Sequence, residues 1–509
     1  YEFPRHTGDF AFFRAYVGKD GMPADPSPDN VPYVSKDYLV VSAEGLKDND
    51  PILLAGYPGR TNRYKLPQEI RYARDKDYPM RVMDFQRELS AIGEATNGNK
   101  EWEVRYAAII KSINNRMKKL QGLLDGFAKK DIAKIKDLQH NAFISWTDKQ
   151  ADAERYQLLL ADMSSLIQRE QQLNEQRFVF DLVKSSNLLE SALTAYRFAK
   201  EKEKPDAERD AGFQERDASF IKARLQRVEQ SYVTEVDKRR WLSALSRYQQ
   251  LNETERLKSV DKILAAPRKD LAKWVDEQNR QTQLADTKNR VALLEQPAAL
   301  FSASNDSLVR LAVLLYETES RLVEETKSLE GDMERFIPQY MTAVIAWKKS
   351  QGKPVYPDAN STLRVTYGTV SSYSPADGLS KGPFTTLDGI VQKHTGKAPF
   401  DAPEALLNAA NEKRYGVFKD PVLGTVPVNF LSSADTTGGN SGSAVMNKRG
   451  ELVGLNFDST YESITKDWYF DPSITRAIHV DIRYMLWVMK ELDKADNLLT
   501  EMRIKYPKK

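Results

Sequence analysis

The sequence contains no cysteine. That excludes a thiol nucleophile, a disulfide framework and a Cys-ligated metal, and it fits an oxidising compartment. No apolar run approaches the roughly 18 residues that a spanning helix needs, so no membrane partner is expected. Net charge is nearly absent: 75 Lys and Arg stand against 72 Asp and Glu, interspersed as in EKEKPDAERD and TEVDKRRW. Without a basic stripe, nothing argues for a nucleic-acid partner. The chain also lacks an initiator Met and a charged-then-apolar leader, opening instead at YEFPRHTGDF, so a portion preceding Tyr1 is expected.

What is there divides into three textures. At 509 residues, two or three domains are the natural expectation. Residues 1–61 are aromatic and turn-rich, with FAFFRAYV, DYLVVSA and DNDPILLAGYPGRTNRY reading as strands joined by tight turns. Residues 62–357 differ: no Gly or Pro occurs from Phe127 to Lys204 or from Phe213 to Ala266. Apolar residues there recur at helical spacing, as at Tyr156, Leu159, Met163 and Leu166. A bundle of long amphipathic helices follows, with Pro205, Pro267 and Pro297 dividing it into antiparallel segments. A coiled-coil rod is the alternative. Residues 358–509 return to strands: STLRVTYGTV alternates at period two, and SAVMN and ELVGLNF flank a Lys-Arg-Gly turn as a hairpin. One amphipathic helix is expected from about Ile482 to Met502. Two β-rich zones around a helical one suggest a helical domain inserted into a β unit.

The sharpest local signal runs from Thr436 through Gly438, Gly439, Asn440 and Ser441 to Gly442 and Ser443, followed by AVMNKRGELVGLNFD. A serine nucleophile needs a turn that exposes its Oγ and aims N–H groups at the developing oxyanion. Glycine two positions earlier permits such a turn, making the N–H groups of Gly439 and Ser441 the natural donors. A Gly-Ser-rich surface loop is the bland alternative, but the strand, turn and strand that follow resemble the nucleophile segment of chymotrypsin-type peptidases. The serine needs a base, and the four histidines are His6, His140, His394 and His479. His6 precedes the best acidic candidate, Asp9, by only three residues. In the chymotrypsin order the base precedes the acid and the serine comes last. A histidine upstream of Tyr1 satisfies that order, and none of the visible four does so convincingly.

Across nearly its whole length the chain resembles the bacterial periplasmic serine dipeptidyl-peptidases of the dipeptidyl-peptidase 7 and dipeptidyl-peptidase 11 type. The segments that carry the resemblance are FPRHTGDFAFFRAYVGKDG, LLAGYPGRTNRY, GGNSGSAVMNKRGELVGLNFD and RAIHVDIRYMLWVMKELDKADNLL. The resemblance implies a mixed β and α fold: a chymotrypsin-like double β-barrel catalytic domain with a large inserted α-helical domain as a lid. On it, residues 1–61 and 358–509 belong to the catalytic domain and residues 62–357 form the lid.

The resemblance also implies an enzyme that releases dipeptides from free N-termini through an acyl-enzyme on Ser441. It casts Asp9 as the triad acid, Gly439 and Ser441 as the oxyanion hole, and Asn115 and Asp458 as holders of the substrate amine. Asn114 is the alternative register for Asn115, and Tyr1 stands in the amine site where the family carries Trp. Ser459 occupies the position that sets preference for the second substrate residue, where glycine accompanies hydrophobic and arginine acidic preference. A serine cannot make arginine's bidentate pair, so a neutral or hydrophobic preference is expected. Asp435, six residues before Ser441, is taken as structural. The resemblance further implies peptide substrates, a homodimer, a periplasmic location and no cofactor or metal. The rivals are an endopeptidase of the same clan and a non-catalytic scaffold.

Overall fold

The computed structural model describes residues 2–265 and 269–507. The chain is a mixed α/β protein with antiparallel sheets, and it divides into two compact units. One comprises residues 1–65, 125–132 and 356–509; the other comprises residues 66–124 and 133–355.

The first unit is built on one large sheet. Its main strands are β1 (Pro51–Gly56), β2 (Arg364–Thr369), β3 (Phe384–Thr386), β4 (Pro427–Ser432), β5 (Ala444–Asn447), β6 (Leu452–Ser459) and β7 (Ala477–Asp481). They pair antiparallel in the order β2-β1-β5-β6-β7-β4-β3. A bridge between Val370 and Ser432 joins the end of β2 back to β4, so the path returns on itself. Every residue of β4 and β7 is buried, as expected of strands covered on both faces. Leu54, Val370, Phe430, Val445 and Val453 fill one side, while Val480, Tyr484, Met485 and Trp487 pack on the other. The β5–β6 hairpin turns through Lys448 to Gly450, with Gly450 at φ +75°.

Two local readings change. The alternating apolar residues of β2 face outward, with Val365 60% and Tyr367 80% exposed. The single helix expected from Ile482 to Met502 is two pieces. The first, from Ile482, widens over Val488–Leu492; the second is Asp496–Glu501. Lys494 lies between them at φ +51°, and an L-residue in that conformation cannot continue a right-handed helix. The chain then adds Ile504–Lys505 parallel to Val41–Ser42.

Among the described residues the second unit has helices and no strand. Ser307–Ser350, its longest helix, packs against Ala153–Val183 and Asn187–Glu201. The Asp306 carboxylate caps it by accepting from the N–H groups of Leu308 and Val309, which satisfies otherwise orphaned donors. Pro338 is carried inside this helix rather than ending it. Pro205 follows the helix that ends at Glu201, and Pro297 precedes Ala298–Ser302. Pro267 lies outside the described residues. Trp241, fully buried, donates from its indole N–H to the Val183 carbonyl at 2.8 Å and anchors the core.

Candidate active site

Residues 433–443 connect β4 to β5 as a loop tied to its surroundings through backbone, amide and other side-chain groups. Asn440 Oδ1 accepts from Thr437 N–H at 3.0 Å, and the Asn440 carbonyl accepts from Ser443 N–H at 3.0 Å. Gly442 N–H donates to the Asn456 carbonyl at 2.7 Å, and Asn456 Nδ2 donates to the Asn440 carbonyl at 3.1 Å. These bonds fasten the loop to β6. Thr437 Oγ1 adds a bond to Asp467 at 2.5 Å. Gly439 takes φ +102°, and a Cβ there would lie 2.4 Å from the Tyr57 carbonyl oxygen and 2.7 Å from the Gly59 nitrogen. Only glycine fits.

This framework leaves two things uncommitted. Ser441 is exposed, and among the described residues its Oγ has one hydrogen-bond partner, the Phe457 carbonyl, to which it donates at 3.3 Å. Among the described residues the N–H groups of Asn440, Gly442 and Ser443 have acceptors, whereas those of Gly439 and Ser441 have none. An exposed hydroxyl beside two unclaimed backbone donors is an arrangement suited to acyl transfer.

The N-terminal segment crosses the same sheet. Thr7 N–H donates to Asn429 Oδ1 at 3.0 Å, and Asn429 Nδ2 returns a bond to the Thr7 carbonyl at 2.9 Å. Phe10 meets Tyr484 edge-on. Asp9, between these anchors, is exposed. Asn429 and Leu455 both align with Val480 across β4, β7 and β6. Two strand spacings and two residues of rise therefore separate the Thr7 anchor from Phe457, about 12 Å along the sheet.

None of the four histidines is presented to Ser441. His6 packs against Gly389, and burial together with Lys393 lowers its pKa to about 4. His479 is fully buried on β7, bonded through Nε2 to Ser432 Oγ at 2.7 Å, with burial lowering its pKa to about 3. His394 accepts at Nδ1 from Ala402 N–H at 3.1 Å. His140 belongs to the helical unit, where burial lowers its pKa.

Asp458 and Ser459 follow Phe457 at the end of β6, where the pairing with β7 is irregular. The Asp458 carboxylate keeps 19% exposure; it accepts from Ser459 N–H and lies 3.9 Å from Arg5 Nη1. Ser459 Oγ accepts from the buried ammonium of Lys466. Burial lowers that ammonium to about 8, against the raising effect of Asp467, Asp435 and Asp458. Asp435 makes a two-pronged pair with Arg63, whose guanidinium is held firmly protonated by this partner. Next to the 433–443 loop, a groove of about 370 Å³ is lined by Pro58, Thr61, Tyr356, Tyr367, Asp435 and Thr437.

Asn115 lies on the helix Lys100–Lys129, exposed, within the helical unit; its neighbour Asn114 donates back to the Ile110 carbonyl at 3.0 Å. Tyr1 lies outside the described residues. Ser441, Gly439, Asp458 and Ser459 are thus brought together around β6. Sequence reasoning missed Lys466, Arg5 and the Asn440–Asn456 framework. A lysine set in SITKDWYF, beside an aromatic run, was the available signal for the first.

The peptidase S46 family model matches residues 1–504. An Asp/Glu-specific dipeptidyl-peptidase of Shewanella putrefaciens is 45% identical over 525 residues, spanning 99% of this chain and 71% of that protein. A dipeptidyl-peptidase 7 of Capnocytophaga gingivalis is 29% identical over 524 residues, covering 99% and 70%. Among solved structures, dipeptidyl-peptidase 11 of Porphyromonas endodontalis in complex with the dipeptide Arg-Asp superposes with TM-score 0.79. It is 27% identical and covers 99% of this chain and 71% of that one.

Proposed function

The chain belongs to the peptidase S46 family, and from that premise we propose that it is a serine-type dipeptidyl-peptidase with Ser441 as nucleophile. The observation that carries this is the exposed Ser441 hydroxyl beside the uncommitted N–H groups of Gly439 and Ser441. In the first step the Ser441 Oγ–C bond forms as the scissile C–N bond breaks. The serine proton passes through an imidazole to the leaving amine, and Gly439 and Ser441 N–H groups hold the oxyanion. Water then releases the dipeptide by the reverse proton path. Asp9 orients the imidazole, which is none of the four histidines of this chain.

Release of two residues requires that the substrate ammonium be held at a fixed distance from Ser441. Asp458, with 19% side-chain exposure, supplies a carboxylate for that cation; on the family resemblance Asn115 is the amide assigned to the same amine. Selectivity for the second residue falls to Ser459. Acidic preference is the reading favoured here, supported by the name of the 45% identical relative. The neutral or hydrophobic preference expected from the Ser459 side chain alone is the second reading.

We also take residues 1–61 and 358–509 as parts of a double β-barrel catalytic domain and residues 62–357 as an inserted lid. Support comes from the returning strand path through Val370 and Ser432. A periplasmic homodimer completes the proposal, on family resemblance; cell fractionation and light scattering test it. The decisive assay uses peptide reporters with free and acetylated N-termini. Dipeptide release from the free amine alone, lost in Ser441→Ala, supports the reading. Equal cleavage of blocked peptides favours an endopeptidase, and no cleavage at all favours a scaffold.

A further inference from the structure

Ser459 is a neutral residue at the position assigned to side-chain selectivity, yet a charge stands directly behind it. Lys466 is 7% exposed, and among the described residues its ammonium donates to Ser459 Oγ rather than to a carboxylate. Ser459 lies on β6 two residues past Phe457, whose carbonyl accepts from Ser441 Oγ. That places it about 7 Å along the strand from the nucleophile's contact, within reach of the side chain next to the scissile bond. A hydroxyl offers one proton and two lone pairs. With a lone pair taken by Lys466, the proton is left for a second partner. The partner that gains most is an anion, because it accepts the Ser459 O–H and sits one hydroxyl away from a buried positive charge.

We propose that Lys466, acting through Ser459, is the positive charge that selects an acidic second residue in the substrate, an inference that rests on the dipeptidyl-peptidase reading. The surrounding charges are consistent with it. Asp467, Asp435, Asp458 and Arg63 all act on the ammonium, and His479 in turn feels the lysine. Asp435 is engaged by Arg63, and Asp467 accepts from Thr437. Asp458 is the carboxylate proposed for the substrate amine. When the amine occupies Asp458, one counter-charge of Lys466 is redirected, and a substrate carboxylate at Ser459 restores the balance. Burial also brings the ammonium down to about 8, so the selecting charge disappears in mild alkali. A purely structural Lys466, holding the turn whose carbonyl accepts from Arg63 Nε at 3.1 Å, would leave substrate choice untouched.

The test compares kcat/KM for free-amine reporters with Asp or Asn as second residue, using the natural-length protein. The Asp-to-Asn ratio cancels effects shared by both substrates, including titration of their amines. Lys466→Met is expected to lower the ratio by about 30-fold or more, the scale for a buried charge left unpartnered. Ser459→Ala should lower it in the same direction. In the wild type the ratio should fall as pH rises through about 8. Where Lys466→Met fails to fold, as judged by circular dichroism, Ser459→Ala and the wild-type pH profile decide. A folded Lys466→Met with the wild-type ratio, or a ratio flat through that pH, overturns the inference. Dipeptide release without any Asp preference overturns it too, while leaving the parent activity standing. No release from either reporter removes both.

Discussion

Replacing Gly439 by alanine perturbs the proposed oxyanion site without touching a side chain that takes part in the chemistry. The backbone there holds φ +102°, and the new Cβ would lie 2.4 Å from the Tyr57 carbonyl oxygen and 2.7 Å from the Gly59 nitrogen. Both neighbours are main chain, so no side-chain rotation relieves the overlap. The conformational strain alone costs about 1–3 kcal/mol. Relief of the overlap requires the loop to move, which displaces the Gly439 and Ser441 N–H groups. Loss of one oxyanion donor costs about 10²–10³ in kcat. The expected result is therefore a fall of at least that size in kcat on a free-amine dipeptidyl reporter, with a lowered Tm. Gly438→Ala is the control, since nothing lies within 4 Å of its Cβ position. A Gly439→Ala protein turning over at the wild-type rate refutes the assignment.

Three further outcomes follow from the same geometry. Asn115→Ala should reduce kcat/KM for free-amine peptides far more than for N-acetylated ones; equal losses count against an amine-binding role. Arg63→Met removes the ion pair of Asp435, leaving its carboxylate the Tyr356 hydroxyl at 3.3 Å, and should destabilise the protein by about 2 kcal/mol in urea unfolding. That is below the ~3–5 kcal/mol of a fully buried pair, because Asp435 keeps 24% side-chain exposure; unchanged stability contradicts a structural role. His479 is neutral when folded, with its pKa lowered to about 3, while the unfolded chain takes up a proton below the ordinary value of 6.5. Stability should therefore fall as pH drops below 6.5, by about 2 kcal/mol per 1.5 pH units from this residue. His6, lowered to about 4, adds in the same direction. A His479→Gln protein with an unaltered acid slope contradicts this account.

The form of the loop carrying Ser441 was legible because its pattern is local. Glycine at 439, the hairpin after Ser443 and the strand carrying Phe457 are all written as short patterns, and the structure places them around Ser441. The helical unit was legible through its spacing and its long stretches without Gly or Pro, 127–204 and 213–266. Pro338 shows the limit of that rule, since the surrounding Ser307–Ser350 helix continues through it. The break at Lys494 left no Gly or Pro to betray it. Lys466 was hidden for another reason. Its partner Ser459 is seven residues away, on the strand before the Tyr461–Asp467 turn. Reading Ser459 alone therefore gave a neutral site, while the charge behind it is a tertiary fact. Asp435 shows the reverse: its spacing to Ser441 invites a specificity role, but its carboxylate is occupied by Arg63.

The central claim is that Ser441 forms the covalent intermediate. Its most direct test treats the natural-length protein with a free-amine dipeptidyl phosphonate ester, which bonds phosphorus to an activated serine, and maps the adduct by peptide mass spectrometry. The account predicts a single adduct on the peptide containing Ser441, formed in step with loss of dipeptide release. An adduct on a different residue, or full activity after Ser441 has been modified, contradicts it.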